Sequence, residues 1–238
     1  MKILNLYACL GGNRYKWDEV AKEAGIEIEV TAVELDKELA RMYGDRFPND
    51  TVIVADAHQY LLDNYKEYDF IWSSPPCPTH SRFNVSMKTK REMFYPDMKL
   101  YQEIIFLDNY FDGKYCIENV IPFYEPLIPA KKRGRHLYWT NFNLPNDLNG
   151  RKNPDFSRVK DVVGVMSKFH DYDFRKYKGE QRINKIARNL VDYEAGRTIF
   201  ETVLGIYKAN NANQTSIFDK IKDYNHSSTH TTVRHNSK

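Results

Sequence analysis

Cysteine is scarce in this chain, with only Cys9, Cys77 and Cys116 present. None of the three has the paired spacing of a zinc site, and the seven histidines add no such pattern. A disulfide framework and a resident metal are therefore not expected, and a single reactive thiol becomes the idea to test. Long hydrophobic runs are also lacking. No stretch approaches the ~18 consecutive apolar residues of a membrane-spanning helix. Met1-Lys2-Ile3-Leu4-Asn5 returns quickly to polar residues, so it reads as a first strand and not as a signal peptide. These absences lead us to expect a cytoplasmic protein with no membrane partner. Charge of one sign is not in excess, the formal net charge being +3. The G-x-G-x-x-G spacing of a dinucleotide-binding dehydrogenase is missing too.

What is present suffices for one core with a small second lobe: 42% of the residues are hydrophobic and 14% aromatic. Ile3-Leu4-Asn5-Leu6-Tyr7 reads as a strand, followed by Gly11-Gly12 and a helical face of Trp17, Val20, Ala21 and Ala24. Gly25 suits a helix C-terminus. A second strand is expected near Glu29 to Val33, then an N-cap at Asp36 and a helix through Leu39, Ala40, Tyr43 and Phe47 that stops at Pro48. The alternation continues with strands at Val52 to Val54, Tyr68 to Trp72 and Tyr115 to Ile117. Helices are expected from Ala57 to Tyr65 and over 97–110. Such alternation predicts an α/β fold with a doubly wound, mostly parallel sheet.

The pattern weakens from Asn141 to about Lys185, which reads as a small separate lobe or an elaborate loop. Helical spacing returns at Ala187 to Tyr207. The Asn-, Ser-, Thr- and His-rich tail after Lys208 reads as disordered. Positive charge clusters at Lys131-Lys132-Arg133-Gly134-Arg135-His136 and at Lys88, Lys90 and Arg91. From charge alone, either cluster could be a solvated surface or a phosphate contact.

In an open parallel sheet, ligands bind beyond the carboxyl ends of the strands. Five consecutive strand ends here carry polar, Gly or Cys residues: Cys9 to Gly12, Glu34 and Asp36, Asp56, Pro75-Pro76-Cys77, and Glu118-Asn119. Each has a plainer alternative. Gly11-Gly12 could be only a turn, and Asp36 and Asp56 could be helix caps. Cys116 lies inside an apolar strand, where core packing explains it. Cys77 differs, because two prolines stiffen the chain before it and Pro78 stops a strand after it. A thiol held that way suits a nucleophile. Glu118 follows an apolar strand with no neighbouring cation, so burial favours its protonated form. Thiol and protonatable carboxyl together suit attack on an electron-poor ring.

These residues make the chain resemble the DNA cytosine-5 methyltransferases, in a compact phage or bacterial form. The resemblance covers almost all of residues 1–209, in the family's motif order. Asn5 to Gly12 is similar to the first cofactor motif, with Tyr7, Ala8, Cys9, Leu10, Gly11 and Gly12 near the ligand. Val33-Glu34-Leu35-Asp36 resembles the second, whose acid holds the cofactor ribose. Asp56 and Ala57 match the segment near the adenine, and Leu100 the helix near the methionine part. Ser74 to Ser81 resembles the Pro-Cys catalytic loop, with Pro75 beside the cofactor. Glu118-Asn119-Val120 is similar to the Glu-Asn-Val motif, Arg133-Gly134-Arg135 to the paired-arginine motif, and Arg188 to Val191 to the last motif, with Asn189 and Val191 closing the cofactor pocket.

The resemblance implies a Rossmann-like class I methyltransferase with a small target-recognition lobe. It implies a catalytic domain at 1–140, a recognition region at 141–185 and a completing helix at 186–209, before the tail at 210–238. It implies S-adenosyl-L-methionine as cofactor, duplex DNA as partner, no metal, and a monomer that flips its target base, with a restriction enzyme as one conceivable companion. Cys77 would attack carbon 6, Glu118 would bond or protonate ring nitrogen 3, and Arg135 would favour the thiolate. Arg133 belongs to the same motif, and Asn119 would hold the loop. Ser81, Arg82, Lys88, Lys90 and Arg91 would meet phosphates, with Lys152, Arg158, Lys168 and Arg175 as candidates for reading sequence. The chain departs from the family where Cys9 replaces the usual Gly and Pro78 the usual Gln, and its recognition region is short. Two other readings stand beside this one: methylation of cytosine in RNA, and an inactive DNA-binding homologue.

Overall fold

The computed structural model describes residues 1–90, 92–146, 154 and 160–208. Arg91, Lys152, Arg158 and the tail at 210–238 lie outside the described residues. Seven strands form one sheet: β1 (Lys2–Leu6), β2 (Glu29–Glu34), β3 (Thr51–Val54), β4 (Phe70–Ser73), β5 (Lys114–Val120), β6 (Lys131–Arg133) and β7 (His136–Thr140). Their order is β3-β2-β1-β4-β5-β7-β6. The first five are parallel, and β7 enters antiparallel to β5 and β6. The helices are α1 (Trp17–Ala24), α2 (Lys37–Arg46), α3 (Ala57–Asn64), α4 (Arg82–Ser86), α5 (Lys99–Tyr110), α6 (Val162–His170), α7 (Ile183–Asn189) and α8 (Tyr193–Val203). None of the described helices is long and apolar enough to cross a membrane.

The central strands are apolar on both sides because both sides of the sheet are covered. Their side chains alternate between two cores. Ile3, Phe70, Trp72, Cys116 and Tyr138 pack with Trp17 and Val20 of α1 and Ile199 and Phe200 of α8. Leu4, Leu6, Ile71, Ile117 and Trp139 pack with Leu61 of α3 and Leu100, Ile104 and Leu107 of α5. At ~25 cal/mol per Å² of apolar surface, these layers supply most of the folding drive. Local signals set the boundaries. Gly25 ends α1 at φ 68 with its N–H turned back to the helix carbonyls, and the carboxylates of Asp36 and Asp56 cap α2 and α3.

The edge at β6 and β7 differs from the charged surface run that its sequence suggests. Lys131 to His136 forms a hairpin in which Arg133 pairs with His136 across Gly134-Arg135, Gly134 taking φ +56. The described part of 141–185 also holds more regular structure than its polarity suggests. Met166 of α6, Phe174 and Tyr177 are buried with Leu10, Met42, Ile186 and Leu190 in a third core. Residues Met1–Tyr207 form one compact unit.

Candidate active site

The chain order reverses at β1, which has β2 and β3 on one side and β4 and β5 on the other. A crevice opens beyond the carboxyl ends of strands at such a point. A cavity of about 580 Å³ lies there. That is within the range of ~300–1,000 Å³ typical of small-molecule sites. Tyr7, Ala8, Cys9 and Gly12 line it after β1, Glu34, Leu35 and Asp36 after β2, Pro75 and Cys77 after β4, and Glu118 and Asn119 at β5.

The loop after β1 is held in an unusual conformation. Tyr7 and Cys9 both lie in the left-handed region, at φ 55 and 47. That region costs an L-residue roughly 1–2 kcal/mol, so the surroundings must hold it. The Tyr7 hydroxyl donates to buried Glu103 at 2.6 Å, and Glu103 also accepts from the Ser73 hydroxyl at 2.7 Å. Burial first, and then Glu103, pushes the Tyr7 phenol well above its ordinary value. The Cys9 N–H donates to Glu34 at 2.8 Å, and the Asp36 N–H donates to the other Glu34 oxygen at 3.0 Å. Glu34 thus joins the loop after β1 to the loop after β2, and it lines the cavity. Burial first, and then Glu34, pushes the Cys9 thiol up to about 12, so it stays protonated.

The thiol of Cys77 is half-buried. Its backbone carbonyl accepts from the N–H groups of His80 at 3.1 Å and Ser81 at 3.0 Å, a tight turn that presents the residue. The turn is tied down from several sides. Asn119 donates its amide to the Pro75 carbonyl at 3.0 Å, and the Phe123 N–H donates to the His80 carbonyl at 3.0 Å. Burial pushes the Cys77 thiol up to about 11, helped by the neighbouring Glu118 charge. The Glu118 side chain is only 8% exposed, and His136 Nε2 stands 3.5 Å from its Oε1.

Several residues expected at the site sit elsewhere. Arg135 is exposed at the hairpin turn and does not line the cavity, so in this structure it is not the positive neighbour expected for Cys77. Arg133 is turned away too, donating to the Pro145 carbonyl at 3.0 and 3.2 Å. The hairpin puts Arg135 at its exposed turn, and the bonds to Pro145 hold Arg133. Leu10, Ala57 and Leu100 are buried in the cores instead. Gly11 turns the chain at φ +64, where a Cβ would meet Phe47 at 2.5 Å and Tyr43 at 2.7 Å. Asp56 caps α3 outside the cavity, with its carboxyl held low first by the Gln59 N–H and then by Lys99, 3.7 Å away. Ser81 caps α4, and Arg82, Lys88 and Lys90 are exposed just beyond it. Lys168 lies on α6 and Arg175 pairs with Asp161, both outside the cavity lining.

Asn189 and Val191 do line the cavity. Gly12 explains the fit: a Cβ there would stand 2.4 Å from the Val191 carbonyl oxygen. Only glycine allows that backbone approach. Sequence reasoning missed Gln181, Lys185, Ile186 and His136 among the lining residues. Gln181 donates its amide to Asp36 at 2.5 Å, bringing the segment before α7 onto the cavity. No local motif marks that contact. His136 was visible only as the end of a basic run.

Residues 1–120, half of the chain, match the family of C-5 cytosine-specific DNA methylases. No curated protein sequence matches significantly. Solved structures resemble the chain distantly. A methyltransferase from Entamoeba histolytica is 9% identical with a TM-score of 0.43, over 87% of this chain and 96% of that one. A DNMT2 mutant from Spodoptera frugiperda is 19% identical with a TM-score of 0.38, over 76% and 60%. A chain from an E. coli prophage, assigned as a DNA modification methyltransferase, is 20% identical with a TM-score of 0.34, over 52% and 34%. On the family match, this chain belongs to the C-5 cytosine-specific DNA methylases.

Proposed function

We propose that the protein methylates carbon 5 of cytosine in duplex DNA, using S-adenosyl-L-methionine and a covalent Cys77 intermediate on a flipped-out base. The observation that supports this is the arrangement of one cavity with two chemically different sides. Glu34, Leu35 and Asp36 lie at the end of β2, whereas Cys77 follows β4 and Glu118 lies in β5. β2 and β5 are three strand steps apart, roughly 14 Å at ~4.8 Å per step. That separation suits a nucleoside at one side and a reacting base at the other.

The residues present fit the cofactor. The Glu34 carboxylate would take the ribose hydroxyls, exposed Leu35 would cover the adenine, and the loop from Tyr7 to Gly12 would carry the methionine part, with Pro75, Asn189 and Val191 completing the wall. Bound there, the cofactor supplies an electrophilic methyl group on its sulfonium. Cytosine must leave the helix to reach the thiol. Cys77 forms a bond to carbon 6, and the electrons of the carbon 5–carbon 6 double bond move toward nitrogen 3. Glu118 supplies a proton to that nitrogen and offsets the charge. Carbon 5 becomes nucleophilic and is methylated. Loss of its proton expels Cys77, and Glu118 recovers the nitrogen proton. Asn119 holds the thiol loop against β5.

Arg82, Lys88 and Lys90 would meet phosphates, which position DNA without reading it. Within this reading, residues 1–140 and 186–209 form the catalytic part and 141–185 chooses the target, in a monomer that works in the cytoplasm. The test compares methyl transfer to duplex DNA and to transfer RNA. Transfer to DNA at least about 100-fold faster supports the reading. Faster transfer to RNA replaces it with an RNA methyltransferase.

A further inference from the structure

His136 begins β7, directly across from Val120 of β5 and Arg133 of β6. It lines the same cavity as Cys77 and Glu118. Its Nε2 is 3.5 Å from Glu118 Oε1, with the imidazole 31% exposed and the carboxyl 8% exposed. The imidazole is therefore wetter than the carboxyl it approaches. Glu118 faces it from β5, Arg135 precedes it in the hairpin, and Glu34, Asp36, Cys77, Lys185 and Arg188 share the cavity. Across the hairpin, Arg133 is held by the Pro145 carbonyl.

We infer that His136 is the positioning and proton-relay residue of Glu118, passing a solvent proton to the carboxyl that protonates the target base. The inference rests on the proposed cytosine chemistry and names the group that charges its acid. The proton balance is simple. His136 Nε2–H gives its proton to Glu118, which gives its own to ring nitrogen 3 as the bond from Cys77 to carbon 6 forms. On product release the nitrogen proton returns to Glu118 as the carboxyl hands its own proton back to His136 Nε2, and the carbon 5 proton leaves to solvent. A long approach of this kind tightens when substrate fills the site. The relay also addresses the repulsion at Cys77: a protonated Glu118 no longer opposes the thiolate, whereas its carboxylate pushes the thiol up.

The experiment follows methyl transfer to duplex DNA from pH 5.5 to 9.5 in the wild type, His136→Gln and His136→Ala. Cofactor binding and thermal unfolding are measured alongside to show that each variant is folded. The wild-type rate should rise with pH as thiolate forms and fall again at higher pH. His136→Gln keeps an amide near Glu118 but cannot titrate. It should lose at least ~10-fold in kcat, keep the KM for the cofactor, and lose the falling limb. Imidazole added to His136→Ala should restore at least ~5-fold, in proportion to its protonated fraction. A His136→Gln profile superimposable on the wild type overturns the inference and leaves the methyltransferase reading intact. A folded His136→Ala that imidazole does not rescue assigns His136 a structural role only and also overturns it. No turnover by the wild type overturns both.

Discussion

The side-chain amide of Asn119 donates to the Pro75 carbonyl at 3.0 Å, and its oxygen accepts the Val120 N–H at 2.9 Å. One buried residue thus fastens the loop that carries Cys77 to the strand that carries Glu118. Asn119→Ala should leave the Pro75 carbonyl without this partner, at about 1–3 kcal/mol. Stability measured by denaturant should fall by that amount. The methylation rate should fall at least ~10-fold with little change in cofactor binding, because a small misplacement of reacting groups is costly. Unchanged rate and stability would show that the bond does not position the loop.

The thiols should react in a fixed order. Cys77 is pushed up to about 11 and is half-buried, Cys9 is pushed up to about 12, and Cys116 is fully buried. Alkylation by iodoacetamide should therefore mark Cys77 first and speed up as the pH rises toward 11. The Glu118 charge raises the Cys77 value, so Glu118→Gln should lower it and bring faster alkylation at any pH below 11. A slower reaction in Glu118→Gln would contradict the placement of that charge. Mass spectrometry of tryptic peptides reads each site.

The central alternation was legible because both faces of the sheet are covered, so apolar runs such as Phe70-Ile71-Trp72 stand out between polar helix starts. Capping residues marked the ends of α1 and α2 for the same local reasons. The edge was not legible. Lys131 to His136 carries its charges on a hairpin whose pairing partner, β5, is remote in sequence. Helix α6 was hidden because its buried residues, Met166 and His170, are few and one is polar. Four of the five strand ends line the cavity and Asp56 does not, whereas Gln181 and His136 reach it through tertiary contacts that no spacing encodes. Arg133 and Arg135 show the converse, a motif whose residues do not line the cavity.

Gly12→Ala tests the junction between the first loop and the last motif. Its new methyl would stand 2.4 Å from the Val191 carbonyl, backbone that cannot turn aside. Overpacking of this kind costs about 1–3 kcal/mol. The segment at Val191 should move off the cavity, so cofactor affinity measured by calorimetry should drop at least ~10-fold. Wild-type affinity would show that the approach is looser than the structure has it.

Cys9→Gly tests the left-handed turn where the family has glycine. Relief of φ 47 is worth roughly 1–2 kcal/mol, and the extra freedom of glycine in the unfolded chain takes back about 0.4–1 kcal/mol. The variant should be more stable by up to ~1.6 kcal/mol, with cofactor affinity kept or improved. A loss of stability would show that the thiol contributes packing that outweighs the strain.

The most direct test of the account is incubation of the protein with tritiated S-adenosylmethionine and mixed-sequence duplex DNA, beside Cys77→Ala. The account predicts label at carbon 5 of cytosine with the wild type and none with the variant, while both bind cofactor equally. Label that survives in Cys77→Ala, or none with either protein despite cofactor binding, would contradict it.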